Sequence, residues 1–195
     1  LEEGSVGGGN GMICYEFKGG TGTSSRLVNI GGERYTIGAL VQANHGIRPW
    51  LNILGKPVGK LLDDGRLMSS ESGSIIAVIA IDAPVSSLSL RQIAKRAAIG
   101  VGRGGSPGGN NSGDIFLSFS TQKLSILGEK SEVVNNRLEL NPDFIDPLYL
   151  AAVECVEEAV VNALVAGESV PTFKPSGLTC KSIDLEFLKG IFDHN

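Results

Sequence analysis

Between Ser72 and Pro84 the chain is almost unbroken apolar sequence, SGSIIAVIAIDAP. A short apolar run bounded by turn residues predicts a fully buried strand over Ser74–Ile81. Mixed apolar and aromatic residues between glycines predict another strand over Gly11–Phe17. Ser25–Ile30 and Glu33–Asn44 flank Gly31-Gly32, the pattern of a tight hairpin. Over Asp114–Thr121 the sequence DIFLSFST alternates, with Ile115, Leu117 and Phe119 on one face. The period turns helical after Ser89, where Leu90, Ile93, Ala94, Ala97, Ala98 and Val101 share a face and Ser89 with Gln92 forms a capping box. A second helix starts at Asp146-Pro147, with Asp as N-cap and Pro at the first helical position. Leu148, Ala152, Cys155, Val156, Ala159, Val160, Ala163 and Leu164 carry its apolar face, and Gly167 stops it. Ser182 is expected to cap a last helix bearing Ile183, Phe187, Leu188 and Ile191. Residues 45–73 have little period and predict a long exposed loop, and Gln122–Asn141 predicts a strand or hairpin at an edge. Interspersed strands and helices without an internal repeat point to a layered α/β or α+β domain.

Composition narrows the class. A chain of 195 residues with 42% hydrophobic residues can bury a core as one domain. The formal charge is −4, charged residues are 19%, and no run of like charges stands out. That argues against a nucleic-acid groove or an anionic membrane surface as partner. The longest apolar run is too short to cross a bilayer. Cys14, Cys155 and Cys180 are an odd number without metal-ligand spacing, so no metal site is expected, and buried free thiols in a reducing, cytoplasmic setting are the expectation. The chain begins at Leu1 rather than Met, which suggests a fragment or processed chain.

The candidate chemistry centres on Gly73-Ser74, at the mouth of the apolar strand. A serine hydroxyl is a weak nucleophile until a base takes its proton. If the bond before Ser74 were cut, the freed α-amine would be that base, with a reference pKa of about 7.7–8.0. Glycine at 73 leaves the preceding carbonyl open to attack. The plain alternative is a turn before a strand, and from spacing alone it is the better reading. Ser112 and Asp114 sit where a glycine-rich loop, Gly102–Asp114, meets the next strand, and could tune a neighbouring amine or simply cap that strand. Asn44 ends a predicted strand and offers an amide donor for an oxyanion, or a turn former. His45 has no partner at a telling spacing and reads as a loop histidine. Two motifs are rejected. Gly100, Gly102 and Gly105 match a dinucleotide fingerprint but follow a helix, and GKPVGK lacks the spacing and hydroxyl of a phosphate loop.

Six strings occur in order: GSVGGGNGM, FKGGTGTSSR, GALVQANHG, SGSIIAVIAIDAP, NNSGDIFLSFST and EEAVVNAL. Together they resemble the L-aminopeptidase/D-Ala-esterase/amidase (DmpA) and β-peptidyl aminopeptidase family. The resemblance implies a layered αββα sandwich like that of N-terminal-nucleophile hydrolases, with the connectivity shared with ornithine acetyltransferases, incomplete here at its N-terminus. It implies self-cleavage at Gly73–Ser74, so that residues 1–73 end an α-chain and residues 74–195 form a β-chain. Ser74 would be the nucleophile, Ser112 and Asp114 would orient its hydroxyl and amine, and Asn44 would supply the oxyanion hole. Gly8, Gly9 and Gly20 would wall the substrate pocket.

The activity implied is an aminopeptidase, amidase or esterase acting on N-terminal residues of small peptides, amides or esters, without cofactor. Its partners would be the upstream segment of the same precursor, which family members carry before GSVGGG, and further αβ units in a homo-oligomer. That upstream segment supplies an acidic residue for the substrate amine and a tyrosine near the nucleophile. Alternatives are an acyltransferase of the ornithine acetyltransferase type, whose nucleophile is usually threonine, and a non-catalytic remnant or small-molecule-binding domain.

Overall fold

The computed structural model describes residues 1–122, 138–174 and 176–193. The edge element expected at Gln122–Asn141 therefore falls mostly outside the described residues. The predicted first strand is in fact two short ones, β1 (Ile13–Cys14) and β2 (Phe17–Lys18), paired antiparallel. Tyr15 and Glu16 turn between them with φ of 50° and 63°. Such a turn normally asks for Asn or Gly, and no local signal marks it. Burial decides it instead: both side chains are fully enclosed, and Glu16 accepts the backbone N–H groups of Arg48, Leu67 and Met68.

The main sheet runs β3 (Gly20–Ile30), β4 (Glu33–Asn44), β5 (Ser74–Ile81) and β6 (Ile115–Ser120), in that spatial order. The hairpin at Gly31-Gly32 is as expected, with φ of 60° and 89° giving the turn that suits twisted strands. β4 and β5 pair antiparallel, whereas β5 and β6 are parallel and need a crossover. The long helix between them supplies it.

That element is preceded in the chain by a single helical turn, α1 (Val58–Leu61), and is α2 (Ser87–Arg103). Its cap is Ser86, whose hydroxyl accepts from the Ser89 N–H at 3.1 Å, so the helix begins earlier than the Ser89–Gln92 box suggests. Ile93, Ala97 and Val101 are buried as expected, but Ala98 is exposed. Helix α3 (Asp146–Val165) starts with Asp146 already inside it and Ile145 at the cap position. Two further strands, β7 (Val170–Pro171) and β8 (Thr179–Cys180), pair antiparallel. Helix α4 (Leu185–Phe192) is capped by Asp184 rather than Ser182, through the Phe187 N–H. All three cysteines are buried and free.

Both long helices pack on the same face of the sheet, α3 across β3 and β4 and α2 against β5 and β6. Ile37, Val41, Ile75, Ile79 and Ile81 meet Ile93, Ala97, Ala152, Val156 and Ala159 there. Among the described residues nothing covers the other face. Ile76, Ile115, Leu117 and Phe119 lie there at 43–57% exposure, beside Val78 and Leu40. Strand β5 is thus buried on one face only, a correction to the reading of the apolar run as fully buried. An apolar sheet face of this kind needs a second layer.

The predicted loop at residues 45–73 is also corrected. Much of it is interior: His45, Arg48, Leu51, Ile53 and Val58 are buried. Arg48 organises it. Its guanidinium donates to the carbonyls of Tyr15, Glu16, Leu62 and Asp64 and lies over the Phe17 ring, 3.4 Å from its centre. A planar fork with five donors is suited to collecting several carbonyls at once.

Candidate active site

Three strands bring the predicted residues to one end of the sheet. Asn44 closes β4, Ser74 opens β5, and Asp114 immediately precedes β6. Asn44 and Ser74 are directly opposed in the β4–β5 register. Residues so paired hold their Cβ atoms about 4.5–5.5 Å apart. The alternation of β5 puts Ser74 on the same side as Ile76 and Val78, the uncovered face.

Around Ser74 the polar contacts are ordered. Its Oγ accepts the Gly113 N–H at 2.8 Å. Asp114 Oδ1 accepts the Ser112 hydroxyl at 2.5 Å and the Ile75 N–H at 3.0 Å. Asp114, itself held by the Ser112 hydroxyl, therefore holds the backbone one residue beyond Ser74, while the glycine between them touches the Ser74 hydroxyl itself. The Gly113 amide was not legible as a site group, because a backbone donor leaves no trace in side-chain identity. Ser112-Gly113-Asp114 puts the two side chains on one side and the amide between them.

Gly73 lies hard against β4. A Cβ placed there would stand 1.9 Å from the Asn44 carbonyl oxygen and 3.2 Å from the His45 Cα. Glycine is required at this position by close approach of two backbones. Two residues earlier, buried Glu71 accepts the Gly46 N–H at 2.7 Å, which fastens the stretch before Gly73 to the chain after β4.

Asn44 is oriented through its oxygen, since Oδ1 accepts the Ile13 N–H at 2.9 Å. Its Nδ2 has no hydrogen-bond partner among the described residues. A donor held by its own acceptor atom and left open suits an oxyanion site. His45 is buried with its ring edge-on to Tyr15, 5.1 Å between centres. Burial pushes its pKa down to about 4, against an opposing pull from Asp114. It is neutral at pH 7 and makes no hydrogen bond to Ser74 among the described residues, in keeping with the reading against a triad base. Cys14 is 3.9 Å from the His45 Nδ1, and burial pushes that thiol up to about 12, so it is no thiolate nucleophile.

Of the three glycines expected to wall a pocket, two sit where backbones approach closely. A Cβ on Gly9 or on Gly20 would meet the Gly4 carbonyl oxygen at 2.3 or 2.2 Å, and one on Gly8 would touch the Gln42 side chain at 3.3 Å. Gln42 is the next same-face residue along β4 from Asn44, and Gly20 pairs with Ala43, the residue before Asn44. Sequence reasoning missed Lys18. It is fully buried, and its ammonium donates to the carbonyls of Gly9, Met12 and Gly19 at 2.9, 3.0 and 2.7 Å.

The chain is similar to known proteins in sequence and in fold. The model of peptidase family S58 matches residues 1–176. The β-peptidyl aminopeptidases BapA of Sphingosinicella microcystinivorans and Sphingosinicella xenopeptidilytica are each 43% identical over 185 residues, which cover 87% of this chain and 46% of theirs. Among solved structures, the L-aminopeptidase D-Ala-esterase/amidase of Ochrobactrum anthropi superposes with a TM-score of 0.90 at 49% identity, over 99% of this chain and 53% of that one. It is described as a prototype for the serine aminopeptidases and a variant of the Ntn hydrolase fold. A β-aminopeptidase from Burkholderia sp. gives 0.84 at 40% identity, over 98% of this chain and 55% of that one. This chain spans about half the length of the relatives it matches. The one-sided sheet with its helices is accordingly part of a layered Ntn-hydrolase sandwich, and the chain belongs to peptidase family S58.

Proposed function

We propose that this chain carries the catalytic centre of a self-processing serine aminopeptidase with amidase and esterase activity. The observation that carries the reading is the convergence at Ser74: a hydroxyl at a strand start, held by the Gly113 N–H, opposite Asn44, with Asp114 on the next amide. In the precursor, the Ser74 Oγ attacks the Gly73 carbonyl carbon. The Gly73–Ser74 C–N bond breaks as the C–O bond forms, and the Oγ proton ends on the departing nitrogen. Water then hydrolyses the ester, which leaves a Gly73 carboxylate, a free Ser74 hydroxyl and a free Ser74 α-amine. Residues 1–73 and 74–195 become separate chains of one unit.

In turnover the neutral α-amine takes the Oγ proton and Oγ attacks the substrate's acyl carbon. The Asn44 Nδ2 and neighbouring backbone N–H groups receive the developing oxyanion. The tetrahedral species collapses to an acyl-enzyme, and the α-ammonium returns its proton to the leaving amine. Water, activated by the same amine, releases the acid. The relatives' activities favour substrates with a free amino terminus, α- or β-linked. The acidic group that would hold that amine belongs to the rest of the protein.

The test is hydrolysis of alanine and β-alanine p-nitroanilides by the full natural protein. Activity is expected to fall as pH drops through the amine's titration and to vanish in Ser74→Ala. A flat rate from acid to alkaline pH, or an active Ser74→Ala, contradicts the reading.

A further inference from the structure

Lys18 is fully buried, yet among the described residues it makes no ion pair. Its nitrogen lies within 3.0 Å of three carbonyl oxygens, those of Gly9, Met12 and Gly19. Three acceptors at that range need three N–H donors, which only the ammonium form has. Burial lowers its pKa from the ordinary lysine value, which fits a cation kept without a counter-charge. Such a charge is costly, and its neighbours show where it is directed.

The Met12 carbonyl belongs to the same peptide plane as the Ile13 N–H. That plane is pinned at its oxygen by the Lys18 ammonium at 3.0 Å and by the Gly19 N–H at 3.0 Å. At its nitrogen it donates to the Asn44 Oδ1 at 2.9 Å. The Asn44 amide then presents Nδ2 at the strand end opposite Ser74. The order is ammonium, peptide group, side-chain amide, open donor, with every dipole pointing the same way. Hydrogen bonds chained head to tail polarise one another, and a low-dielectric interior preserves the effect.

We infer that Lys18 is a positioning residue for the oxyanion site, acting through the Met12–Ile13 peptide to orient and polarise Asn44. This rests on the assignment of Asn44 as oxyanion donor. A charged group placed behind the donor strengthens it toward negative charge without touching substrate, so the effect belongs to the transition state. KM should change little and kcat should carry the loss.

The experiment is a double-mutant cycle in the full natural protein, with Lys18→Met, Asn44→Ala and the pair. Alanine and β-alanine p-nitroanilides are the probes, and rates are normalised to the fraction of chains that begin at Ser74. Lys18→Met is expected to lower kcat on the order of tenfold in the wild-type background and less than about twofold beside Asn44→Ala. Equal losses in both backgrounds overturn the proposal while leaving the oxyanion reading intact. An Asn44→Ala variant with wild-type kcat overturns the oxyanion reading, and the inference with it. Lys18→Gln, which keeps two donors but no charge, serves if Lys18→Met does not fold. Should neither neutral variant fold, Lys18 is a cation for folding alone and the inference is wrong.

Discussion

The two faces of the central sheet are built from alternate residues of the same strands and do opposite things. On one face Ile75, Ala77, Ile79 and Ile81 of β5 are sealed beneath α2 and α3. On the other, Ser74, Ile76, Val78 and Ala80 are partly or largely open, and Asn44 lies beside Ser74. The covered face holds the strand register. Because side chains alternate with a period of two, that register also fixes what the open face displays. A slip of one residue would turn Ser74 into the core and Ile75 out. Chemistry on the open face is thus positioned by packing on the closed one. The same open face is apolar beyond its Ser74 end, as expected of a surface that meets a second layer.

The largest effect should come from placing a charge on the open face. Leu117→Asp in the full natural protein is expected to abolish soluble folded material, since a covered carboxylate without a partner is strongly unfavourable. Normal yield and unfolding temperature would mean that this face remains in water, and the contrast would break there. Next comes Asn44→Ala, expected to lower kcat by about 10² to 10³ with its unfolding midpoint unchanged. A matching loss of stability would make Asn44 a structural residue. Ile79→Ala, on the sealed face, should show the converse: about 2–5 kcal/mol of stability lost in denaturant unfolding, with kcat of the folded fraction kept.

Histidine 45 gives a pH test of the junction between the faces. Its folded pKa of about 4 lies below the ordinary 6.5, so the unfolded chain binds the extra proton first. Its contribution to stability is complete above pH 6.5 and is lost as pH falls toward 4, up to about 3 kcal/mol. His45→Gln should flatten that part of the stability–pH curve; an unchanged slope would assign the loss to other groups. The smallest effect is expected at the surface cluster where Arg26 meets Glu154 and Glu158, at 3.2 and 2.5 Å. Glu154→Gln should cost less than about 1 kcal/mol, because the pair is partly solvated at the boundary between α3 and β3 and Glu158 still holds Arg26.

What the sequence disclosed, and what it hid, follows from the range of the forces involved. The Gly31-Gly32 hairpin, the β5 and β6 strands and the two long helices are local patterns and were readable. So were the positions of Ser74, Asn44, Ser112 and Asp114, which the fold gathers at one sheet end. The turn at Tyr15-Glu16 was not readable, since its conformation is imposed by distant N–H groups at Arg48, Leu67 and Met68. Residues 45–73 looked polar enough for solvent, but a buried arginine satisfied by four carbonyls has the same composition as an exposed one. An apolar run cannot tell one covered face from two, because both read as the same string of Ile, Val and Ala. Lys18 was silent for the same reason as Arg48: nothing local says that a lysine is paired with carbonyls instead of water.

The proposed chemistry requires Ser74 to become a chain terminus. Intact mass spectrometry of the full natural protein and its Ser74→Ala variant addresses this directly. Two polypeptides are expected in the first, one of them beginning at Ser74, and a single uncut polypeptide in the second. A wild-type protein that hydrolyses its substrates with the Gly73–Ser74 bond intact would contradict it.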